Sequence, residues 1–294
     1  MSWSRIRACY TELVRARDSG ISFADSWAAF ADAVAASRDA PPYHLRGILG
    51  ALRETCGQDA RADIRILDHG CGGAVTLLYL LALGYRGIHG VDVGGNCQTW
   101  NRLLQERFGI SERRFSVYDG RRLPLPNDSI DFLFSEEVLE HVHPTMVEDY
   151  YAEEARVLKP GAAAYHQVPH RWVPYESHTR TWVLHYLPRV LSLPLYRLLG
   201  RNAEFVRQHL FLRRPGFHYA MFRRHIGEYT DRTSDRLAGL TQFDYYDGPV
   251  RLRRLVARLV GIPGLGRALV LVFRHLVMIQ TLSRKTPLQV SASK

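Results

Sequence analysis

Four cysteines are all this 294-residue chain contains, and Cys9, Cys56, Cys71 and Cys97 stand singly, with no Cys-x-x-Cys pair among them. That scatter excludes a disulfide framework and gives no zinc-knuckle spacing, so a reduced, cytosolic setting is expected. Long apolar runs are missing too. Met1-Ser-Trp-Ser-Arg has no apolar core of a secretory signal, and no uninterrupted stretch reaches the length of a membrane span. Carboxylates are scarce in one half. Residues 1–150 carry 20 acidic and 16 basic side chains, whereas residues 151–294 carry 9 and 23, which places the net +10 in the second half. An anionic substrate, an anionic membrane surface or nucleic acid would match that field, as would a solvated arginine-rich surface. Hydrophobic content of 46% and charged content of 23% are those of a globular protein.

What is present is organised around residues 64–73, Ile-Arg-Ile-Leu-Asp-His-Gly-Cys-Gly-Gly. A short β-rich run ends at Asp68, glycines turn the chain, and residues 74–84 form an apolar helical segment. Strand, glycine turn and helix make the first unit of an open α/β sheet, which binds ligands at the carboxyl ends of its strands. The dinucleotide fingerprint Gly-x-Gly-x-x-Gly fails at its last position, where Val75 stands. Asp-x-Gly-x-Gly, from Asp68 through Gly70 and Gly72, fits. Further strands are expected at 87–92, 113–118, 130–135 and 162–168, with helices near 74–84, 95–108 and 145–158. The strand runs are short and continuously apolar, as in a parallel sheet covered on both faces. An acid at a strand end, such as Asp92, can accept hydrogen bonds from ribose hydroxyls.

The ordered set of Asp68-His-Gly-Cys-Gly72, Gly90-Val-Asp92, Tyr118-Asp119-Gly120, Leu123-Pro-Leu-Pro126, Glu137-Val-Leu-Glu-His141 and Arg156-Val-Leu-Lys-Pro-Gly161 resembles the class I S-adenosylmethionine-dependent methyltransferases, in the pattern of the type 11 group. The likeness runs over roughly residues 60–170. It implies an α/β fold with a Rossmann-like seven-stranded sheet, N-terminal helices, and helical insertions after strands five and six. It implies S-adenosyl-L-methionine as cofactor, with Asp68, Gly70, Cys71 and Gly72 against the methionine part, Asp92 and Val93 at the ribose, and Asp119 and Gly120 at the adenine. Glu136 closes the cofactor set. Ala74 stands where a third glycine is usual, a position expected to be helical already, and His69 reads as a partly exposed turn residue.

Four parts are expected: an N-terminal helical cap over residues 1–60, a cofactor-binding core over 61–181, a helical acceptor lid over 182–239, and a C-terminal part over 240–294. Phe23, Trp27, Phe30 and Val34 recur at helical spacing and read as a buried face. Tyr10 and Trp27 read as packing residues that could reach a ligand. Strand six is expected at 242–247 and strand seven at 276–285. Between them, Leu252, Leu255, Val256 and Leu259 line one helix face and Arg251, Arg253, Arg254 and Arg258 the other. Such a helix fits a membrane interface, packing on the domain, or a homodimer face.

Methyl transfer is an in-line displacement assisted by a base. His178 and His170, on the loop after strand five, and His141 are the candidates, because histidine titrates near neutrality; His166 is expected to face the core. Glu137, Glu140 and His141, expected at the start of a helix and on one face of its turn, also resemble the divalent-metal set of quinone-precursor and small-RNA methyltransferases, a reading not favoured over a metal-free site. O-methylation of a small-molecule or lipid-linked acceptor is the leading function. RNA methylation and a catalytically inactive cofactor-binding or interaction protein are the alternatives; no separate RNA-binding module is present. A peripheral place at the inner face of the membrane would accompany a lipid-linked acceptor.

Overall fold

The computed structural model describes residues 3–19, 22–57, 63–110, 113–238, 255, 258–259, 261–262 and 264–286. Two compact units divide the chain. Of the described residues, the first takes in those through Phe134 together with Val157–Ala163, and the second takes in Ser135–Arg156 and those from Ala164 onward.

The first unit opens with helices α1 (Trp3–Ser19), α2 (Phe23–Ala35) and α3 (Tyr43–Cys56). Their inward faces bury Ile6, Leu13, Phe30, Val34, Ile48 and Leu52 completely or nearly so. The periodic apolar stripe of α2 therefore does what its spacing implies, and Trp27 packs against Phe30 and Phe108 at ring separations of 5.8 and 4.7 Å. Strand β1 (Ile66–His69) follows, then α4 (Val75–Ala82), β2 (Ile88–Asp92), a 3-10 turn over Gly95–Thr99, α5 (Trp100–Phe108) and β3 (Phe115–Val117). Strand β4 (Ile130–Glu136) begins here.

β1 lies at the centre, parallel to β2 through Ile66 opposite Ile88 and Asp68 opposite Gly90, and parallel to β4 through Ile66 opposite Phe132. β2 pairs parallel with β3. Every residue of β1 is buried, as a strand flanked on both edges and covered on both faces must be.

The second unit holds α6 (Val147–Val157), all but its last residue, and the end of β5 (Leu158–Val168) from Ala164 onward, followed by a hairpin of the short strands β6 (Tyr175–Glu176) and β7 (Thr181–Trp182). Helices α7 (Arg189–Leu198), α8 (Ala203–His209) and α9 (Pro215–Met221) come next, with a π turn over Phe222–Ile226. Strand β8 (Gly227–Asp231), α10 (Thr233–Ala238), α11 (Leu265–Phe273) and β9 (Ile279–Lys285) complete it. β8 and β9 are antiparallel, Gly227 opposite Lys285 and Asp231 opposite Thr281. The sheet is seven-stranded, in the order β3-β2-β1-β4-β5-β9-β8, the Rossmann-like α/β arrangement expected.

Three local expectations need correction. Glu137–His141 does not start a helix: it is a turn, and α6 begins only at Val147. Glu137 sits at φ 54°, outside the right-handed helical region, and Pro144 biases His143 toward extended backbone. Residues 227–231, assigned to a helical insertion, form β8, the edge strand beside β9. His69 is buried within β1, bonded through Nε2 to the Tyr118 hydroxyl at 2.7 Å, and is no exposed turn residue. The strand expected at 242–247, and Leu252, Val256, Arg251, Arg253 and Arg254 of the amphipathic segment, lie outside the described residues. Among the described residues, no helix is long and apolar enough to cross a membrane.

Candidate active site

In the first unit the carboxyl ends of β1 and β2 build a cradle from backbone and carboxylate. Gly70 N–H and Cys71 N–H both donate to the Val91 carbonyl, at 2.8 and 3.0 Å, which fixes the turn against β2. Asp92 then reaches back: Oδ2 accepts from Gly72 N–H at 2.8 Å, while Oδ1 accepts from Gly94 N–H at 2.7 Å. Gly72 has φ 50°, and a Cβ built on it would meet no protein atom within 4 Å. Its side of the turn is open space, of the kind a ligand backed by main chain can fill.

Ala74 departs from expectation. It is not helical but left-handed, at φ 68° and ψ 19°, and it caps α4. Its N–H donates to the Cys71 carbonyl at 2.7 Å. This is the conformation for which glycine is usual there.

Two residues of this turn were misjudged or missed from sequence. The Tyr10 hydroxyl donates to the Gly73 carbonyl at 2.6 Å, and Trp100 Nε1–H donates to the same oxygen at 3.0 Å. Tyr10 is thus a positioning residue supplied by α1. A Cβ on Gly73 would stand 2.5 Å from its hydroxyl. The only signal in the sequence was an aromatic on an N-terminal helix.

Asp68 is buried at the end of β1, and burial first, then the Asp92 carboxylate and Cys97, push its pKa well up. A cationic group placed against it would relieve both effects. Asp119 is exposed after β3, where its Oδ1 accepts from Arg121 and Arg122 N–H, holding its carboxyl below the usual range. Gly120 beside it is buried at φ 80°. Val93, just past β2, is 68% exposed. Asp68, Asp92 and the Asp119–Gly120 turn thus stand at or just beyond the carboxyl ends of β1, β2 and β3 in this unit. Glu136 ends β4 and falls in the second unit.

The second unit gathers a different set. Phe211 N–H donates to the Glu140 carbonyl, and the Arg213 guanidinium donates to the Leu139 and Val142 carbonyls, so the Glu137–His141 turn is pinned at three carbonyls. From that turn His141 faces His178, with the two Nε2 atoms 3.1 Å apart. Glu140 Oε1 lies 3.8 Å from His141 Nε2. Glu176 orients His178 through Nδ1 at 2.7 Å. Burial alone would raise Glu176, but hydrogen bonds from His178 and Thr179 overcome it and hold the acid at about 2. Burial lowers His141, whereas Glu176 outweighs burial and raises His178.

The other candidates are placed elsewhere. His170 is fully buried, with Nε2 donating to the Val277 carbonyl and Nδ1 accepting from Trp172 N–H, and burial lowers its pKa to about 4. His166 pairs with Glu154 in the core at 2.8 Å. Glu137 receives a long 3.5 Å contact from Gln167 and is not among the groups that converge. A cleft of about 550 Å³ opens beside His178, lined also by Arg180, Arg201, Asn202 and Phe205.

A glycine turn after the first strand, answered by a carboxylate at the end of the second, is the arrangement in which open α/β sheets bind nucleotides. Residues 67–165 match the family model described as methyltransferase domain. Among solved structures, the chain is similar to geranyl diphosphate C-methyltransferase from Streptomyces coelicolor A3(2), at 16% identity over 83% of this chain and 77% of that one, TM-score 0.46. It is similar to a putative sarcosine dimethylglycine methyltransferase from Galdieria sulphuraria, at 14% identity over 83% and 85%, TM-score 0.44. YcgJ from Bacillus subtilis aligns at 20% identity over 83% and 99%, TM-score 0.45. Residues 67–165, the segment that carries the glycine turn and the acids Asp68, Asp92 and Asp119, are thus similar to a methyltransferase domain.

Proposed function

We propose that the chain is an S-adenosylmethionine-dependent methyltransferase that transfers the methyl group to a hydroxyl of an anionic acceptor, a small molecule or a lipid-linked one, with His178 as the base. The observation that carries this reading is His178 itself. A carboxylate fixes its Nδ1, and its ring borders a cleft flanked by Arg180 and Arg201. Two guanidinium groups suit a carboxylate or phosphate on the acceptor, and the cleft has the size of a metabolite pocket.

On this reading Asp68, Gly70, Cys71 and Gly72 hold the methionine part of the cofactor, Asp92 and Val93 the ribose, and Asp119 with Gly120 the adenine. When bound, the cofactor would give up an electrophilic methyl group from its sulfonium and keep the sulfur–carbon electron pair as a neutral thioether. His178 Nε2 takes the acceptor hydroxyl proton as the oxygen–carbon bond forms. Glu176 keeps the imidazole in the tautomer that can accept. A base so placed contributes about 10²–10⁴-fold, and positioning of the two reactants contributes much of the rest.

The test is incubation with tritium-labelled S-adenosylmethionine and a panel of hydroxylated carboxylates, phosphate esters and lipid-linked phosphates. Label should enter an ether linkage on an anionic acceptor, and His178→Gln should cut turnover by about 10²-fold or more with cofactor affinity kept. Label on carbon or nitrogen, or turnover indifferent to His178→Gln, would sink the proposal.

One observation favours a second reading of the same residues. Glu140 is buried, with both carboxylate oxygens lacking a hydrogen-bond partner among the described residues, and its pKa is pushed well up by burial and then by Glu137. Glu140, His141 and His178 each aim one ligand atom into a space where all lie within 4.8 Å of one another. His209 and Glu176 hold the rings through Nδ1, as oxygen acceptors behind metal-bound histidines do. Two imidazoles and a carboxylate suit zinc or manganese, which would polarise the acceptor oxygen. The set differs from the one expected from sequence: His178 joins and Glu137 does not. Equilibrium dialysis should then give one equivalent of metal, lost in His141→Ala and in His178→Ala; dialysed protein free of metal at millimolar supply would leave the base reading alone.

A further inference from the structure

Helix α7 buries only part of what its sequence makes apolar. Tyr196 and Ser192 point inward, and Tyr196 packs with Ala203, Val206 and Leu210 of the α8 region. On the rest of the helix and its ends, Leu187, Val190, Leu191, Leu195, Leu198 and Leu199 are exposed, Val190 at 78% and Leu198 at 80%. Within the helix Leu191, Leu195 and Leu198 follow one another at helical spacing, so they form a stripe and not a scatter. A contiguous exposed apolar surface of this kind marks a binding surface.

The charges around it say what kind. From Ser177 through Ala203 the chain has no carboxylate, while Arg180, Arg189, Arg197 and Arg201 fall within it. Arg180, Arg197 and Arg201 are exposed. Trp182 and Tyr186, 47% and 38% exposed, lead into the helix, and such aromatics settle at the headgroup level of a bilayer. An apolar stripe, an aromatic entry and a mainly cationic rim, in which Glu204 near Arg197 is already paired with Arg207, together describe a helix that lies in the interface of an anionic membrane. A second copy of the chain fits less well. A two-fold pairing across α7 would set a mainly cationic surface against itself.

We infer that α7 is a peripheral docking helix for an anionic lipid surface. Leu187, Val190, Leu191, Leu195 and Leu198 enter the acyl boundary, and Arg197 and Arg201 meet headgroup phosphates. The inference is independent of which acceptor the enzyme uses, and it assigns the membrane contact to a segment whose residues the sequence placed only within a lid.

The experiment is flotation of the full chain with vesicles of phosphatidylcholine alone and of phosphatidylcholine with phosphatidylglycerol. At low salt the protein should float with the anionic vesicles only, and high salt should release it. Val190→Asp with Leu198→Asp should weaken partitioning by more than about tenfold, because two exposed side chains no longer bury apolar surface. Affinity for S-adenosylhomocysteine should be unchanged in that variant, which shows the fold and cofactor site intact. The inference is overturned if the unmodified protein stays unbound at low salt, or if the double variant floats equally well. It is also overturned if light scattering finds a dimer that the two substitutions convert to a monomer, since the stripe would then belong to a second copy.

Discussion

His141 and His178 meet Nε2 to Nε2 at 3.1 Å, and each ring has already committed its other nitrogen, His141 to the His209 carbonyl and His178 to the Glu176 carboxylate. A carbonyl or carboxylate oxygen accepts only, so both Nδ1 atoms must donate. Two neutral rings would then oppose lone pairs, an arrangement that calls for a proton or a cation between them. Nitrogen-15 NMR of the histidines at pH 8 should place the proton on Nδ1 in both rings. A ring carrying its proton on Nε2 alone would contradict the geometry on which both the base and the metal readings depend.

Gly72→Ala separates cofactor binding from stability. The residue sits at φ 50°, where a Cβ meets open space and no protein atom. The backbone strain costs roughly 1 kcal/mol, visible as a small loss in thermal midpoint. Affinity for S-adenosylhomocysteine should fall far more, by about 100-fold, because the methyl group occupies ligand space. Equal small losses in both would place the cofactor elsewhere.

Tyr10→Phe removes one of two donors to the Gly73 carbonyl. A net hydrogen bond contributes about 1 kcal/mol, so calorimetry should show several-fold weaker cofactor affinity, and a larger loss when Trp100→Phe is added. Unchanged affinity in the double variant would make both contacts packing alone.

Stability should depend on pH through buried histidines. Burial holds His170 at about 4, and His89 and His218 at about 3, all below the ordinary value of about 6.5. In each case the unfolded chain takes up a proton that the folded protein refuses, so their stabilisation is full above pH 7. It is lost as pH falls from about 6.5 toward 4. The slope approaches about 1.4 kcal/mol per pH unit for each histidine in that window. Denaturant unfolding at pH 7.5, 6 and 5 should show the decline, and equal midpoints at all three would contradict the burial.

Much of the sheet was legible because its signals are local. The apolar run 64–67, the glycine turn and Asp92 lie within thirty residues, and parallel strands advertise themselves as short continuous apolar segments. The Asp92–Gly72 bond follows from that order. Glu137-Val-Leu-Glu-His141 misled because its letters suit a helix, whereas Glu137 adopts a left-handed conformation that no propensity announces. Tyr10 and Gly73 are 63 residues apart, and His141 and His178 are 37 apart; only tertiary structure sets such pairs. The edge strand β8 was hidden inside an aromatic, basic stretch. Its alternating half-exposed residues lack the continuous run of a buried strand.

The decisive measurement is titration calorimetry of S-adenosylhomocysteine into the purified chain, beside Asp92→Ala. The unmodified protein should bind one equivalent saturably and gain thermal stability in proportion to ligand excess. Asp92→Ala should bind about tenfold or more weakly, since hydrogen bonds to a charged carboxylate contribute about 1.5–3 kcal/mol. Absence of heat and of thermal stabilisation at millimolar ligand with the folded, unmodified chain would contradict the assignment of the β1–β2 cradle as a cofactor site.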